Sequence, residues 1–133
     1  MGRTRTRTTA GIVLDAGALI ALDRGDKRMI ALLDRALAQG RAFRVPVGVV
    51  GQAWRDGRVQ ATLSRFLRGD EVETIPLDEQ LARSCGELCG AATSSDIIDA
   101  SVVILARERR DPIVTSDPND LRRLDPTAQI IPI

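Results

Sequence analysis

The chain has no histidine and no tyrosine, one tryptophan, two phenylalanines, two cysteines and a single lysine. Without histidine there is no Ser-His-Asp or Cys-His triad, no imidazole acid–base nuclease chemistry and no imidazole-ligated metal. A hydrolase made from this sequence has to work with carboxylates and a hard metal ion. Phe43, Phe66 and Trp54 are too few for stacking platforms of the RRM or OB type. No glycine-rich dinucleotide or phosphate loop is present. Cys85 and Cys89 stand four apart in a helical pattern and share a face. Two thiols without further soft ligands do not complete a zinc site, so they read as small core residues of a reduced protein.

What is present suits one domain. A chain of 133 residues buries about two-thirds of its unfolded surface without disulfide support. Its 44% hydrophobic and 28% charged content is ordinary for a globular protein. The net charge of +1 declares no bulk field for nucleic acid. Eighteen of the nineteen cations are arginine. Arginine is the better fork for phosphate, although genome base composition produces the same enrichment. Residues 1–10, with Arg3, Arg5 and Arg7, read as a basic tail ahead of a domain over 11–133. Tail and following apolar run together imitate a secretory signal. Asp15 inside the run and Asp23-Arg24-Gly25-Asp26 after it argue against export, so a cytoplasmic protein with no membrane contact is expected.

The stretch from Gly11 to Leu22 organises the rest. Ile12-Val13-Leu14 is an apolar run of the kind that fills a central strand. Asp15 ends it. Ala16, Gly17 and Ala18 permit a tight turn, and Leu19, Ile20 and Leu22 continue as a helix. Further on, the pattern predicts a helix from Asp26 stopped by Gly40, a strand over Phe43–Val45, and helices over Val47–Arg58 and Val59–Arg68. It then predicts an edge strand over Glu71–Leu77, a helix over Asp78–Cys89 with Asp78 as N-cap, and a buried helix from Asp96 through Ala106. A strand over Pro112–Thr115, a short helix over Leu121–Leu124 and a last strand over Ile130–Ile133 complete the chain. The alternation points to an α/β fold with a mainly parallel sheet between helices.

Two of these strands end at an aspartate, Asp15 and Asp117, and in a parallel sheet both emerge at the same edge, where open α/β sheets bind ligands. Asp96 and Asp99, three apart, share one helix face near that helix's N-terminus. Each has a plainer reading as well: Asp15, Asp96 and Asp117 as helix caps, Asp99 as an inward acid paired with an arginine. If the four meet, three or four carboxylates with no cationic partner repel one another unless a divalent metal compensates. Oxygen clusters suit Mg²⁺ or Mn²⁺, and a metal-activated water is then available for attack on a phosphodiester.

Ile-Val-Leu-Asp15-Ala-Gly-Ala-Leu-Ile-Ala-Leu, Val45-Pro46 with Trp54-Arg55, Asp96-Ile-Ile-Asp99-Ala and Ile113-Val-Thr-Ser-Asp117-Pro-Asn-Asp120-Leu121 resemble, in order and spacing, the successive motifs of the PIN domain. In particular they resemble those of VapC-type toxins of toxin–antitoxin pairs. It implies a three-layer α/β/α fold and a Mg²⁺- or Mn²⁺-dependent endoribonuclease cleaving tRNA, rRNA or mRNA. It also implies a homodimer and silencing by a VapB-like antitoxin whose tail covers the acidic pocket. By motif, Asp15, Asp99 and Asp117 are the catalytic and metal-binding acids, with Asp96 as a nearby second acid. Gln52, Arg55 and Ser116 are the expected substrate contacts.

One position departs from the pattern. The family carries glutamate two residues before Trp-Arg, where this chain has Gln52. Gln52 keeps a carbonyl oxygen but removes a negative charge. The alternative expectation is therefore a catalytically impaired PIN-like module that binds RNA or an antitoxin without cutting. A phosphoacceptor receiver domain shares the layered sheet, but this chain lacks the acid pair after the first strand and the late lysine it needs.

Overall fold

β1 (Gly11–Leu14) is buried along its whole length, and Val13 and Leu14 have no exposed surface. Such a strand belongs in the middle of a sheet with both faces covered. The computed structural model, which describes residues 10–133, places it there. β1, β2 (Ala42–Pro46), β3 (Val72–Ile75), β4 (Ile113–Thr115) and β5 (Ile130–Pro132) form one sheet in the order β3-β2-β1-β4-β5, all neighbours parallel. The expected basic tail, apart from Ala10, lies outside the described residues.

The chain starts at the centre, winds out through β2 to β3, then crosses back to lay β4 on the other side of β1. Segments leaving β1 and β4 therefore diverge, which opens a crevice at the carboxyl ends of these two strands. The sheet is covered by α1 (Ala16–Asp23), α2 (Lys27–Ala38), α3 (Val47–Ala53), α4 (Ala61–Leu67), α5 (Glu79–Ala92), α6 (Ile97–Arg109) and α7 (Pro118–Leu124). α1 packs on α2, α3 and α4, while α5, α6 and α7 pack on one another and α6 lies along β1 and β2. This is the α/β fold the alternation predicts. No single described helix is long and apolar enough to cross a membrane.

α6 is helical although its Val102-Val103-Ile104 run favours strand locally. Asp96 caps its first turn, accepting the Asp99 N–H at 2.9 Å, and Arg110 closes its end in the left-handed conformation at φ 58°. Burial of Ala100, Val102, Val103, Leu105 and Ala106 supplies the packing. The buried Ser101 hydroxyl donates back to the Ile98 carbonyl, which removes its cost. Cys85 and Cys89 are buried in α5 as free thiols, and Cys89 donates to the Asp96 carbonyl.

The helices expected over Val47–Arg58 and Val59–Arg68 are shorter than the periodicity suggests. α3 ends at Ala53, Trp54 is extended at φ −79° and ψ 126°, and α4 begins at Ala61. The cause is the buried side chain of Gln60. Its Oε1 accepts the N–H groups of Arg55 at 2.6 Å and Asp56 at 2.8 Å. Its Nε2 donates to the Ala53 carbonyl at 2.9 Å and to Asp23 at 3.2 Å. Backbone groups that a continuing helix would have satisfied internally are taken by one distant amide. α7, by contrast, starts earlier than expected, with Pro118 in its first turn, where a missing N–H costs nothing.

Toward the amino end of the strands lies a buried ion network. Arg44 of β2 is 1% exposed, with Nη1 at 2.6 Å from Asp111 and Nε at 3.5 Å from Glu73. Asp111 also accepts the Gly11 N–H at 3.1 Å. A Cβ on Gly11 would stand 1.9 Å from Arg44 Nη1, so the guanidinium can cross β1 only because residue 11 is glycine.

Candidate functional site

Asp15 follows β1 directly and is 6% exposed. Its Oδ1 accepts the Ala18 N–H at 3.0 Å, so it caps α1 as the plainer reading has it. Its Oδ2 accepts a short hydrogen bond from the Thr115 hydroxyl. Thr115, the buried last residue of β4, in turn accepts the Asp117 N–H at 2.8 Å. One hydroxyl thus ties the acid of the central strand to the backbone of the acid after the neighbouring strand. Burial pushes the Asp15 carboxyl above its ordinary range. The Thr115 and Ala18 hydrogen bonds oppose that shift, and the charge of Asp117 adds to it.

Asp117 sits at the N-cap of α7 but makes no capping hydrogen bond. Its carboxylate is exposed and accepts only a long contact, at 3.5 Å, from the Ser116 hydroxyl. The cap reading therefore fails for this residue. Ser116 leans over the start of α1: a Cβ on Gly17 would fall 2.0 Å from Ser116 Oγ and 3.5 Å from Asp15 Oδ1. Gly17 is what allows the two turns after β1 and β4 to close over one crevice.

Asp99 lies half-buried in the first turn of α6. Its carboxyl is pushed up to about 7, first by burial, then by the charge of Asp96 and their hydrogen bond, then by Asp120 and Asp15. Among the described residues no cation contributes, so the plainer reading of Asp99 as an acid paired with an arginine is not met. Asp96 stands just outside α6 as its N-cap rather than on the helix face with Asp99. The fold therefore gathers Asp15, Asp96, Asp99 and Asp117 at one edge, and adds Asp120, exposed in the first turn of α7. Sequence reading missed Thr115 and Asp120 as members of this group. Both had a signal: Thr115 ends the strand ahead of Ser116-Asp117, and Asp120 lies one turn beyond Asp117.

Gln52 and Arg55 are placed differently. α3 leaves β2 at the same edge of the sheet, and a Cβ on Gly48 would be 3.0 Å from Ile98, next to Asp99. Gln52, one turn after Gly48, shares that side of α3 and is half-buried. Arg55 is exposed and turns back on its own helix, donating to the carbonyls of Gly51 at 3.0 Å and Trp54 at 2.8 Å. Asp56 is held by Arg58 at 3.2 Å, which keeps its carboxyl low.

The donor set at this edge is hard oxygen throughout, and among the described residues no side-chain cation relieves the repulsion at Asp15 or Asp99. Among the described residues no three acids stand where all could ligate one ion directly. Mg²⁺ asks for less: it is usually bound through one or two carboxylates and keeps several waters. On chemistry and charge, Asp15, Asp99 and Asp117 fit such an ion, with Asp96 and Asp120 in support.

No known protein family and no curated protein matches the chain. Solved structures do share its architecture. A chain of VapBC2 from Rickettsia felis, in its complex with a DNA fragment from its promoter, aligns with a TM-score of 0.67 at 16% identity, covering 92% of this chain and 98% of that one. A chain of FitAB bound to an IR36 DNA fragment aligns at 0.63 and 14% identity, covering 91% and 94%. At such identities the likeness is one of fold, and it spans nearly the whole of both partners.

Proposed function

We propose that the protein is a metal-dependent endoribonuclease of PIN type, the toxin of a toxin–antitoxin pair. The observation that carries this reading is the gathering of Asp15, Asp99 and Asp117 at the crevice between β1 and β4, with the Asp99 carboxyl raised to about 7 by burial and by other acids alone. Buried like charges cost stability, and a fold bears that cost where the charges work. The shared fold with VapBC2 and FitAB agrees with the PIN-like motifs. It also supports an antitoxin partner, whose cationic tail the acidic edge would accept.

In this reading one or two of Asp15, Asp99 and Asp117 would hold a hydrated Mg²⁺ or Mn²⁺ directly and the rest through its waters; when bound, the ion would supply an acidified water and neutralise charge on the phosphoryl group. Thr115 fixes the Asp15 carboxylate and the Asp117 backbone in one geometry. Ser116, at the lip of the crevice, offers a hydroxyl to substrate. The test is incubation of purified protein with structured RNA, with and without Mn²⁺ and chelator, beside Asp15→Asn and Asp99→Asn. Chelator-sensitive cleavage that both substitutions abolish, together with growth arrest, is expected. Unchanged, chelator-insensitive cleavage by either variant contradicts the assignment.

A second reading rests on Gln52. With glutamine rather than glutamate on the side of α3 that carries Gly48, the edge carries one charge fewer than the pattern it resembles, which weakens metal binding. The protein would then hold RNA or an antitoxin without cutting.

A further inference from the structure

The segment after α3 has no part in the acidic edge, yet it is built with care. Trp54, the only tryptophan, is 36% exposed, and Val59 is 77% exposed. Between them the backbone is locked at both ends by Gln60, whose four hydrogen bonds anchor it to α3 and α1. Asp56 tightens the turn by accepting the Arg58 N–H at 3.0 Å. The indole lies across Gly57, where a Cβ would be 2.8 Å from Cζ2. Glycine at 57 is thus required for the ring to sit where it does. An exposed, seated aromatic on a hydrogen-bonded loop is ordered before any ligand arrives.

Charge points to the ligand. From Val47 to Arg68, four arginines against the single acid Asp56 give +3, in a chain whose total is +1. Arg55, Arg58, Arg65 and Arg68 are all exposed. The loop is also tied to the acidic edge by rigid elements: α1 runs from its N-cap Asp15 to Asp23, which accepts from Gln60, and is about 12 Å long at helical rise. We propose that the Trp54–Val59 loop is a single-stranded RNA contact in which the Trp54 indole stacks on one base and the neighbouring arginines hold phosphates, a short length of strand away from the acids. This rests on the ribonuclease reading and names a substrate subsite for it. One indole is not the multi-base platform excluded above. A single stacked base beside cations is nonetheless a recurrent way to hold a strand without reading its sequence.

With one tryptophan and no tyrosine, intrinsic emission reports on this loop alone. Wild-type protein in chelator and Asp99→Asn in Mg²⁺ are titrated with a short single-stranded RNA of mixed sequence. Emission is followed on the protein, and anisotropy on a labelled copy of the strand. The expected result is saturable quenching of Trp54, with Trp54→Ala weakening binding about 5- to 150-fold, the range one stacked base spans. Trp54→Phe keeps most of the affinity, and Gly57→Ala, which unseats the ring without removing it, loses part of it. RNA binding with unchanged emission and an unaffected Trp54→Ala overturns the proposal. So does an emission shift that tracks protein concentration without RNA, which assigns the loop to a second copy of the chain. Quenching by RNA in a protein that never cleaves removes the nuclease reading and leaves the contact standing. No RNA binding at all removes both.

Discussion

The two ends of the same strands treat buried acids in opposite ways. At the amino end Asp111 has Arg44 at 2.6 Å and the Gly11 N–H at 3.1 Å. At the carboxyl end Asp15, equally buried, has among the described residues only neutral donors, and the charge that acts on it is that of Asp117. A paired buried ion locks geometry. A buried carboxylate facing carboxylates does not. The difference teaches where to look for function: the amino end spends its charge on holding β1, β2 and α6 together, whereas among the described residues the acids of the carboxyl end are left without a counter-charge.

The largest effect is expected from breaking the paired end. Asp111→Ala removes the 2.6 Å partner of the buried Arg44 guanidinium, and breaking a buried pair costs about 3–5 kcal/mol. Urea unfolding measures it, and cleavage per folded molecule should not change. A loss under ~1 kcal/mol would erase the contrast between the two ends. Next comes Thr115→Val, which leaves an Asp15 oxygen and the Asp117 N–H without their shared partner. An unsatisfied buried acceptor costs about 1–3 kcal/mol, and here activity should fall along with stability. Thr115→Ser, which restores the hydroxyl, should recover both.

At Asp99 the sign reverses. Its folded carboxyl titrates at about 7 and its unfolded one at 3.8, so between these values the folded state binds more protons and stability falls as pH rises. Asp99→Asn removes that penalty. Solvent screening at a half-buried group keeps the gain to roughly 1–2 kcal/mol, present above pH ~7 and absent below pH ~4. Thermal unfolding across this window checks it. Mg²⁺ or Mn²⁺ should raise the midpoint of the wild type and not of the variant, because a ligand stabilises only the state that binds it. A variant less stable than wild type at pH 8 would mean that Asp99 has a partner after all.

Much of this was legible from the residues. β1 reads as a central strand because four consecutive positions are small or apolar, and Asp15 and Asp117 are placed by the ends of the strands they follow. The parallel order then brings their tips together without further information. Less local facts were hidden. Nothing in the spacing of Val49, Val50 and Trp54 says that α3 stops at Ala53, because the Gln60 amide that stops it acts from seven residues away and through Asp23, 37 residues distant. Thr115 is legible only in part: its place ahead of Ser116-Asp117 is a signal, but its bond to Asp15, 100 residues away in sequence, is not. The Arg44 network is invisible too, since an arginine inside a strand reads as an exposed position until Gly11 and Asp111 are seen beneath it.

The smallest expected effect decides between the two readings of the carboxyl end. Gln52 is half-buried on the side of α3 whose Gly48 lies against Ile98. Gln52→Glu is nearly isosteric, so the fold should hardly notice its shape. Its charge, however, joins an edge already crowded with acids. Without metal the variant should be slightly less stable above neutral pH and its Asp99 should titrate still higher, since a nearby like charge disfavours ionisation. With metal the added carboxylate becomes a further hard oxygen, and Mg²⁺-dependent stabilisation and RNA cleavage should both increase. If metal stabilises the variant more strongly while cleavage stays absent, the acidic edge binds cations but the chain is a binding module. If neither changes, Gln52 lies outside the cation's reach and the charge missing from this edge was never part of it.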